Sequence, residues 1–444
     1  MAWTMGTMLL GPAAGDPPPD RAHGIAQPEK KRVTGRQVAR AILYLPRRIV
    51  DLAVEPIRLA LWAYERYELR RLYYRVFSFD GREFALFPVV KIESTFGASA
   101  GARLVHHDLF RNKGSFDTYA TYGNRSGTQA GLDVDSGWLG RSRTKLGLMS
   151  WYRNVPADRF YGIGDNELEP APEGPLLLDP RGRTSSVRTR FEHERMRVGL
   201  LATFAVVEPL QVELSSTFTW RRFGPAARDT RDPDIADVYS HDALVGYDTG
   251  VRNVYNQARL VVDNRRSGRS PALTTSGWYA SLYGGFVNGL VGDPSRFGRV
   301  GFDVQHFVEL WAAHRILHLR AGLDTAIGSL DRIPFVDLPS LGGPYVLRGY
   351  QRDRFRDRIA AFVTAEYVWE VNDFMAGFAF VEPGRVWSGG DDTAPWRLRL
   401  GYGGGLQLHT YTGFLARVQF ASSIDGGFFA HLNLSPGTRT FTRR

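Results

Sequence analysis

The chemistry open to this 444-residue chain is set first by its cations. Lys and Arg total 56 against 46 Asp and Glu, a formal charge of +10, and the only lysines are Lys30, Lys31, Lys91, Lys113 and Lys145. The surplus is therefore guanidinium, whose planar fork suits carboxylate and phosphate oxygens. The arginines are spread along the chain without a base-stacking motif, so lipid-headgroup phosphate is the expected counterpart and nucleic acid is not. No Cys is present, which removes disulfides, thiolate metal sites and Cys nucleophiles together. His106, His107, His306, His314, His318, His409 and His431 fall in alternating segments or at their ends, without ligand spacing, and read as wall or rim residues. No Gly-x-Ser-x-Gly, phosphate-binding loop, His-Glu-x-x-His or calcium-loop pattern occurs. A Ser, His and Asn site assembled from neighbouring strands would need no such motif and remains the minor alternative. The expectation is a protein that is not an enzyme and takes no cofactor or metal.

The elements that would position any site are strands. After Phe77 the apolar period is two. Trp396, Leu398, Leu400, Tyr402, Leu406 and Leu408 share one face against Arg397, Arg399, Gly401, Gly403, Gly405, Gln407 and His409. Leu317, Leu319, Ala321 and Leu323 stand likewise against His318, Arg320, Gly322 and Asp324. Phe414, Ala416, Val418 and Phe420 repeat the design against Leu415, Arg417, Gln419 and Ala421, less cleanly. One face suits hydrocarbon and the other a polar interior. Seventeen such runs are legible, two of them at 185–193 and 196–206. A closed bacterial barrel takes an even number, so one early run is expected to be spurious. Long connections fall at 154–184, 223–255 and 329–359. A soluble two-sheet sandwich also alternates, but strands this long and numerous would make an unusually large one. The expected fold is all-β, a 16-stranded antiparallel transmembrane β-barrel over 80–444, preceded by an N-terminal amphipathic helical segment.

Residues 1–15 are apolar and small, ending Ala13-Ala14-Gly15, and fit a truncated signal peptide as well as an unstructured start. Residues 16–33, with Pro17, Pro18 and Pro19, read as a disordered linker. Residues 34–76 mix Arg with aliphatic and aromatic residues, and Pro46 and Pro56 divide them into helices. In the last helix Trp62 accompanies Arg66, Arg70, Arg71 and Arg75, with cations at the end the helix dipole favours. That pattern fits an interfacial segment on anionic phospholipid and an ordinary packed helix equally.

Leu341-Gly-Gly-Pro-Tyr-Val-Leu-Arg-Gly-Tyr350, within the 329–359 connection, resembles the signature of the BamA/TamA-like outer-membrane assembly and translocation barrels, also called the bacterial surface antigen superfamily. The motif itself is Leu347-Arg348-Gly349-Tyr350. Thr364-Ala365-Glu366-Tyr367 is similar to the family's Glu-containing strand, and Phe380-Val381-Glu382-Pro383-Gly384 to a Phe-x-Asp-x-Gly element, with Glu in place of Asp. Phe160-Tyr-Gly-Ile-Gly-Asp-Asn166, and Val262-Asp-Asn-Arg265 with Gly277, extend the likeness upstream. Five predicted strands follow the loop, as in the family. Phe441 is followed by Thr442-Arg443-Arg444, whereas the family stops at or near an aromatic residue. Residues 16–76 are too short and helical for the family's periplasmic repeat domains, so the chain resembles short members that lack them.

The resemblance implies that the loop folds back into a lumen. An arginine carried there must meet carboxylates, because an unpaired charge in a confined interior costs several kcal/mol. Glu366 and Glu382 are the expected partners, bidentate geometry being open to the guanidinium. Gly349 is expected to allow a tight turn and Tyr350 to wedge on the wall. The implied function is insertion or translocation of polypeptide, or of lipid, at the bacterial outer membrane. The implied partners are phospholipid, lipopolysaccharide, and client outer-membrane or secreted polypeptides. A passive pore or structural barrel is the alternative. Oligomeric state is not legible.

Overall fold

The computed structural model describes residues 76–433 except 80–83, 94–96, 110–112, 124–126, 141–142, 172–176, 183–185, 227–230, 269, 311–314, 390–396 and 412, with scattered residues between 55 and 72. The expected leader 1–15 and linker 16–33, and most of the helical segment 34–76, lie outside the described residues. The chain divides into compact units 1–59 and 60–444, and every described strand belongs to the second. Trp62, Ala63, Arg66 and Leu72 have helical backbone. Tyr67 N donates to Ala63 O at 2.9 Å and Leu72 N to Glu68 O at 3.0 Å. No helix among the described residues is long and apolar enough to cross a membrane.

Among the described residues the main sheet has 18 strands, the two-residue Ser78–Phe79 and Arg266–Ser267 and sixteen longer ones: β1 Phe84–Glu93, β2 Gly97–Leu109, β3 Gly114–Gly123, β4 Gly127–Leu139, β5 Thr144–Phe160, β6 Thr189–Val207, β7 Leu210–Gly224 and β8 Val251–Asp263. The rest are β9 Thr274–Gly289, β10 Arg296–Glu309, β11 Arg315–Ile327, β12 Ile359–Asn372, β13 Met375–Trp387, β14 Arg399–Thr410, β15 Gly413–Ser423 and β16 Phe428–Asn433. Each pairs antiparallel with the next in one sheet. β1 and β16 approach within 8 Å at Cα without a shared register among the described residues. The expected runs 185–193 and 196–206 are one strand, β6. Adjacent charges at Glu194 and Arg195 broke its apolar alternation in sequence. In the sheet those two side chains simply face opposite ways, Glu194 accepting from Tyr152 Oη at 2.8 Å.

Alternation sorts the side chains as the period of two requires. Leu200, Leu214, Leu282, Val363, Tyr402 and Phe420 are exposed on one face, an apolar surface of the kind that hydrocarbon covers. The other face buries charge in pairs: Arg320 and Asp303 at 2.7 Å, Arg259 and Glu213 at 3.5 Å, and Arg299 with Asp324. About 9–11 residues cross a bilayer, so the 17 residues of β5 and 19 of β6 project beyond it.

An antiparallel meander places the connections after odd-numbered strands at one end. The three longest, 161–188, 225–250 and 328–358, all lie there, close to the expected bounds. They share one apolar cluster, in which Ile163, Ile235, Tyr239, Leu244, Phe335 and Leu338 pack on Phe160, Phe191 and Phe297 of the strands. Tyr239 Oη donates to Val187 O at 3.0 Å, and Leu178 N to Val238 O at 2.8 Å. At the opposite end most turns are short. The exception, 264–273, folds inward: Ser270 Oγ donates to Thr410 O at 2.8 Å, and Gln407 Nε2 to Ala272 O at 3.1 Å. Gly277 (φ 101°) packs where a Cβ would lie 2.6 Å from Asn264 O, and Asn264 Oδ1 accepts from Trp278 N at 2.6 Å. This accounts for the Val262–Arg265 and Gly277 pairing in the sequence.

Candidate functional site

The 328–358 loop lies on the buried face against the strands that follow it. Leu341, Val346, Leu347, Tyr350 and Phe355 pack with Ala360, Phe362 and Val386 of β12 and β13. The backbone turns at Leu347 (φ 52°) and Asp353 (φ 54°). Gly349 sits with Arg348 at the centre of a tight turn, as expected, with Tyr350 N donating to Leu347 O at 3.1 Å, although the left-handed residue beside it is Leu347. Gly349 is also needed for close approach: a Cβ there would collide with Ser422 O, on β15. Gly401 gives similar room, its virtual Cβ lying 3.1 Å from Gly349 N. Gly384 accommodates Leu341 and Leu347, whose Cδ1 atoms would be 3.3 and 3.4 Å from a Cβ.

That approach delivers Arg348, 5% exposed, into a ring of acceptors. Nε donates to Glu382 Oε1 at 3.0 Å and Nη1 to Glu366 Oε2 at 2.9 Å, while Nη2 lies 2.9 Å from Glu382 Oε1. Nη1 also reaches Gln419 Oε1 at 3.2 Å. The backbone joins in: Arg348 N donates to Glu382 Oε2 at 2.7 Å, and His431 Nε2 donates to Arg348 O at 3.1 Å. The guanidinium stands 3.5 Å above the Phe380 ring, within cation–π range. Beside it Arg417, 3.6 Å above Phe378, donates to the same Glu366 Oε2 at 2.6 Å. Thr364 Oγ1 completes Glu382 at 3.1 Å. Two guanidiniums face two carboxylates, and the shared pair is charge-neutral. Burial works against the Arg348 cation, but Glu382 and then Glu366 outweigh it and hold the guanidinium more firmly protonated than usual.

Tyr350 sits edge-on to Phe355, ring centroids 5.0 Å apart, and donates to Asp425 Oδ2 at 2.9 Å. Burial and then that hydrogen bond push its phenol up to about 12. Arg399 also grips Asp425 at 2.8 Å. The Phe160–Asn166 segment docks on the loop, with Gly164 N donating to Arg356 O at 2.6 Å and Arg354 Nη2 to Asn166 O at 2.6 Å. Tyr161 Oη donates to Gln351. Beneath the clamp, a cavity of about 480 Å³ is lined by Arg265, His318, Arg320, Tyr345, Glu366 and Arg417, among others.

Leu347, Arg348, Gly349, Tyr350, Glu366, Glu382, Phe380 and Gly384 therefore meet in one place. Trp62 and Arg66 are exposed, and Arg70, Arg71 and Arg75 lie outside the described residues. Sequence reasoning missed Arg417, Gln419, Phe378, Thr364, His431 and Asp425. The inward alternation of Arg417, Gln419 and Ala421 was the one available signal for the first two. Among the described residues no group of His, Asp and Glu could hold a metal ion. The arrangement offers no activated nucleophile or free acid–base pair, and its chemistry is mechanical: it ties a loop to a wall.

Residues 203–425 match the Omp85 superfamily domain, about half of the chain. Among solved structures the fold is similar to BamA from Haemophilus ducreyi lacking POTRA domains 1–3, with TM-score 0.55 and 15% identity over 79% of this chain and 69% of that one. CdiB from Acinetobacter baumannii gives 0.47 at 11% identity, and CdiB from Escherichia coli 0.45 at 12%, each over 79% of this chain. The chain spans 59% and 60% of those two proteins. No curated protein matches it significantly in sequence. The domain match, the antiparallel meander with its apolar outer face, and the likeness to a BamA fold lead to one assignment: the chain belongs to the Omp85 superfamily of bacterial outer-membrane β-barrel proteins.

Proposed function

We propose that this protein assists insertion or translocation of polypeptide, or of lipid, at the outer membrane, with the 328–358 loop as an internal brace. Members of the superfamily serve insertion or translocation there, which sets the class of activity. The observation that carries the reading is the Arg348 clamp. It joins the loop to Glu366 on β12, Glu382 on β13, Gln419 on β15 and His431 on β16. A single residue, by side chain and backbone, thus ties the loop to four of the strands leading to the β16 edge, which β1 approaches. An opening at that edge would be opposed or licensed by the brace. Trp62, Arg66, Arg70, Arg71 and Arg75 serve in this reading as contacts to phospholipid at the membrane surface.

The competing role is a passive pore. The loop cluster at one end of the sheet, the clamp, and the inward turn 264–273 at the other end all obstruct free diffusion and weigh against it. The deciding experiment is a quantitative outer-membrane proteome after depletion of the protein, with lipid asymmetry as control. Loss of a defined set of barrels or surface proteins, rescued by wild type and not by Arg348→Ala, is the expected result. An unchanged proteome with stable single-channel steps would establish the pore instead.

A further inference from the structure

Away from the clamp, the buried face of β5, β6 and β7 carries a row of arginines. The register sets Arg153 opposite Arg195, and Arg195 opposite Arg221. Three guanidinium side chains thus stand side by side at strand spacings of about 4.8 Å. Arg197 follows on the same face of β6, and Arg352 adds its charge from the 328–358 loop. Like charges directly opposite one another destabilise a sheet, and burial deepens the cost. Arg153 and Arg221 are only 5% and 3% exposed, while Arg195 and Arg197 are half-buried.

Asp337 takes Arg221 Nη2 at 2.7 Å, Asp353 faces Arg352 at 3.6 Å, and Asp158, 3.0 Å from His193, also attracts Arg195. Arg195 lies 4.5 Å from the centroid of the Trp151 ring, which orients its plane and supplies no acceptor. Arg153, Arg197 and Arg352 have contacts of their own. Arg195 Nε, and Arg221 Nε and Nη1, are buried donors without a partner. A buried donor left unsatisfied is costly and calls for an acceptor.

We infer that this row is a binding site for a phosphate-class oxyanion, either inorganic phosphate or the phosphate of an anionic lipid headgroup, seated on Arg195 between Arg153 and Arg221. A tetrahedral phosphate offers two or more acceptor oxygens to neighbouring planar forks, and inorganic phosphate as the dianion neutralises more than one guanidinium at once. Neither property belongs to a halide. The inference is independent of whether the protein has polypeptide clients.

The test uses the full chain, folded in a neutral maltoside detergent, with heat-modifiable gel mobility as the folding check. Inorganic phosphate is titrated calorimetrically against chloride at matched ionic strength, and dihexanoyl phosphatidylglycerol against dihexanoyl phosphatidylcholine. Wild type should bind one or both phosphate ligands, and Arg195→Gln should weaken that binding about tenfold or more. Arg103→Gln, at a separate surface pair with Asp117, should leave it unchanged. Binding of inorganic phosphate identifies a free-ion site, and binding of phosphatidylglycerol alone identifies a headgroup site. Without ligand, Arg195→Gln should unfold at a higher temperature than wild type, because repulsion in the row is relieved. If Arg195→Gln does not fold, Arg197→Gln takes its place in both measurements. Absence of binding in wild type, equal binding by the variant, or a lower unfolding temperature would overturn the proposal.

Discussion

Arg348 and Arg195 are guanidiniums on the same face of the same sheet, and their surroundings could hardly differ more. Arg348 is gripped by Glu382 and Glu366, shares Glu366 with Arg417, and lies on Phe380. Charge closes within the cluster, so nothing from outside is required. Arg195 stands between Arg153 and Arg221 with a donor unspent. That buried donor has no acceptor in the fold, so something from outside is. The same residue type is a brace where its donors meet carboxylates and a receptor where a buried donor is left over. Substitutions should therefore carry opposite signs in the two places.

Arg348→Ala should give the largest effect, since it strands Glu382 in a buried site and leaves Glu366 to Arg417 alone. A loss of about 3–5 kcal/mol is the expectation for breaking such a pair, read as loss of folded, gel-resistant protein. Glu382→Ala should behave alike. The double variant should cost much less than the sum of the two, because each single change already abolishes the contact. Additive losses would show that the clamp is not a unit, and would erase the contrast with the arginine row. Gly349→Ala comes next. Its Cβ would collide with Ser422 O on β15, and relief requires the loop to lift. Overpacking of this kind costs about 1–3 kcal/mol. The expected readout is protease sensitivity confined to 328–358 with the strands intact.

How far these features were legible varies for physical reasons. On β11 a period of two separates Leu317 and Leu319 from Arg320 and Asp324, and burial follows it from Leu319 to Ile327. On β6 the period was hidden, because Glu194 and Arg195 are consecutive charges and a strand edge and a charged strand interior look the same in sequence. Glu366 and Glu382 could be named because a lumenal arginine demands carboxylates and the likeness pointed to their strands. Arg417, His431 and Asp425 could not. Their convergence on the loop depends on register across β12–β16, which no local pattern encodes. Gly349 was legible as a turn residue, but its close approach to Ser422 was not, since that depends on a strand distant in the chain. The arginine row was invisible for the same reason as His431: its members are distant in the chain and neighbours only in the sheet.

Tyr350→Phe should sharpen the picture of the brace at lower cost. It removes one hydrogen bond to Asp425 while Arg399 keeps that carboxylate paired, so roughly 1 kcal/mol is expected. The unfolding temperature should drop slightly with the Arg348 contacts unchanged.

The smallest effect should be a pH dependence where the two regions meet. Asp337, in the loop, faces Arg221 at the end of the row. Burial pushes its carboxyl up, but Arg221, with Arg197 and Arg299 further off, outweighs burial and holds it below its ordinary 3.8. A carboxylate depressed in the folded state contributes stability that is present above its unfolded pKa and lost as pH falls through the folded one. Asp232, held down by Arg190 and Arg188, acts in the same direction at the neighbouring 225–250 connection. Acidification from about pH 6 to below pH 4 should therefore loosen the loop cluster before the strands. Asp337→Asn should flatten that dependence and leave Arg221 without its carboxylate. If phosphate then binds Asp337→Asn more tightly than wild type, the carboxylate and the oxyanion compete for Arg221. If its affinity is unchanged, the site is centred on Arg195 and Arg153, away from the loop.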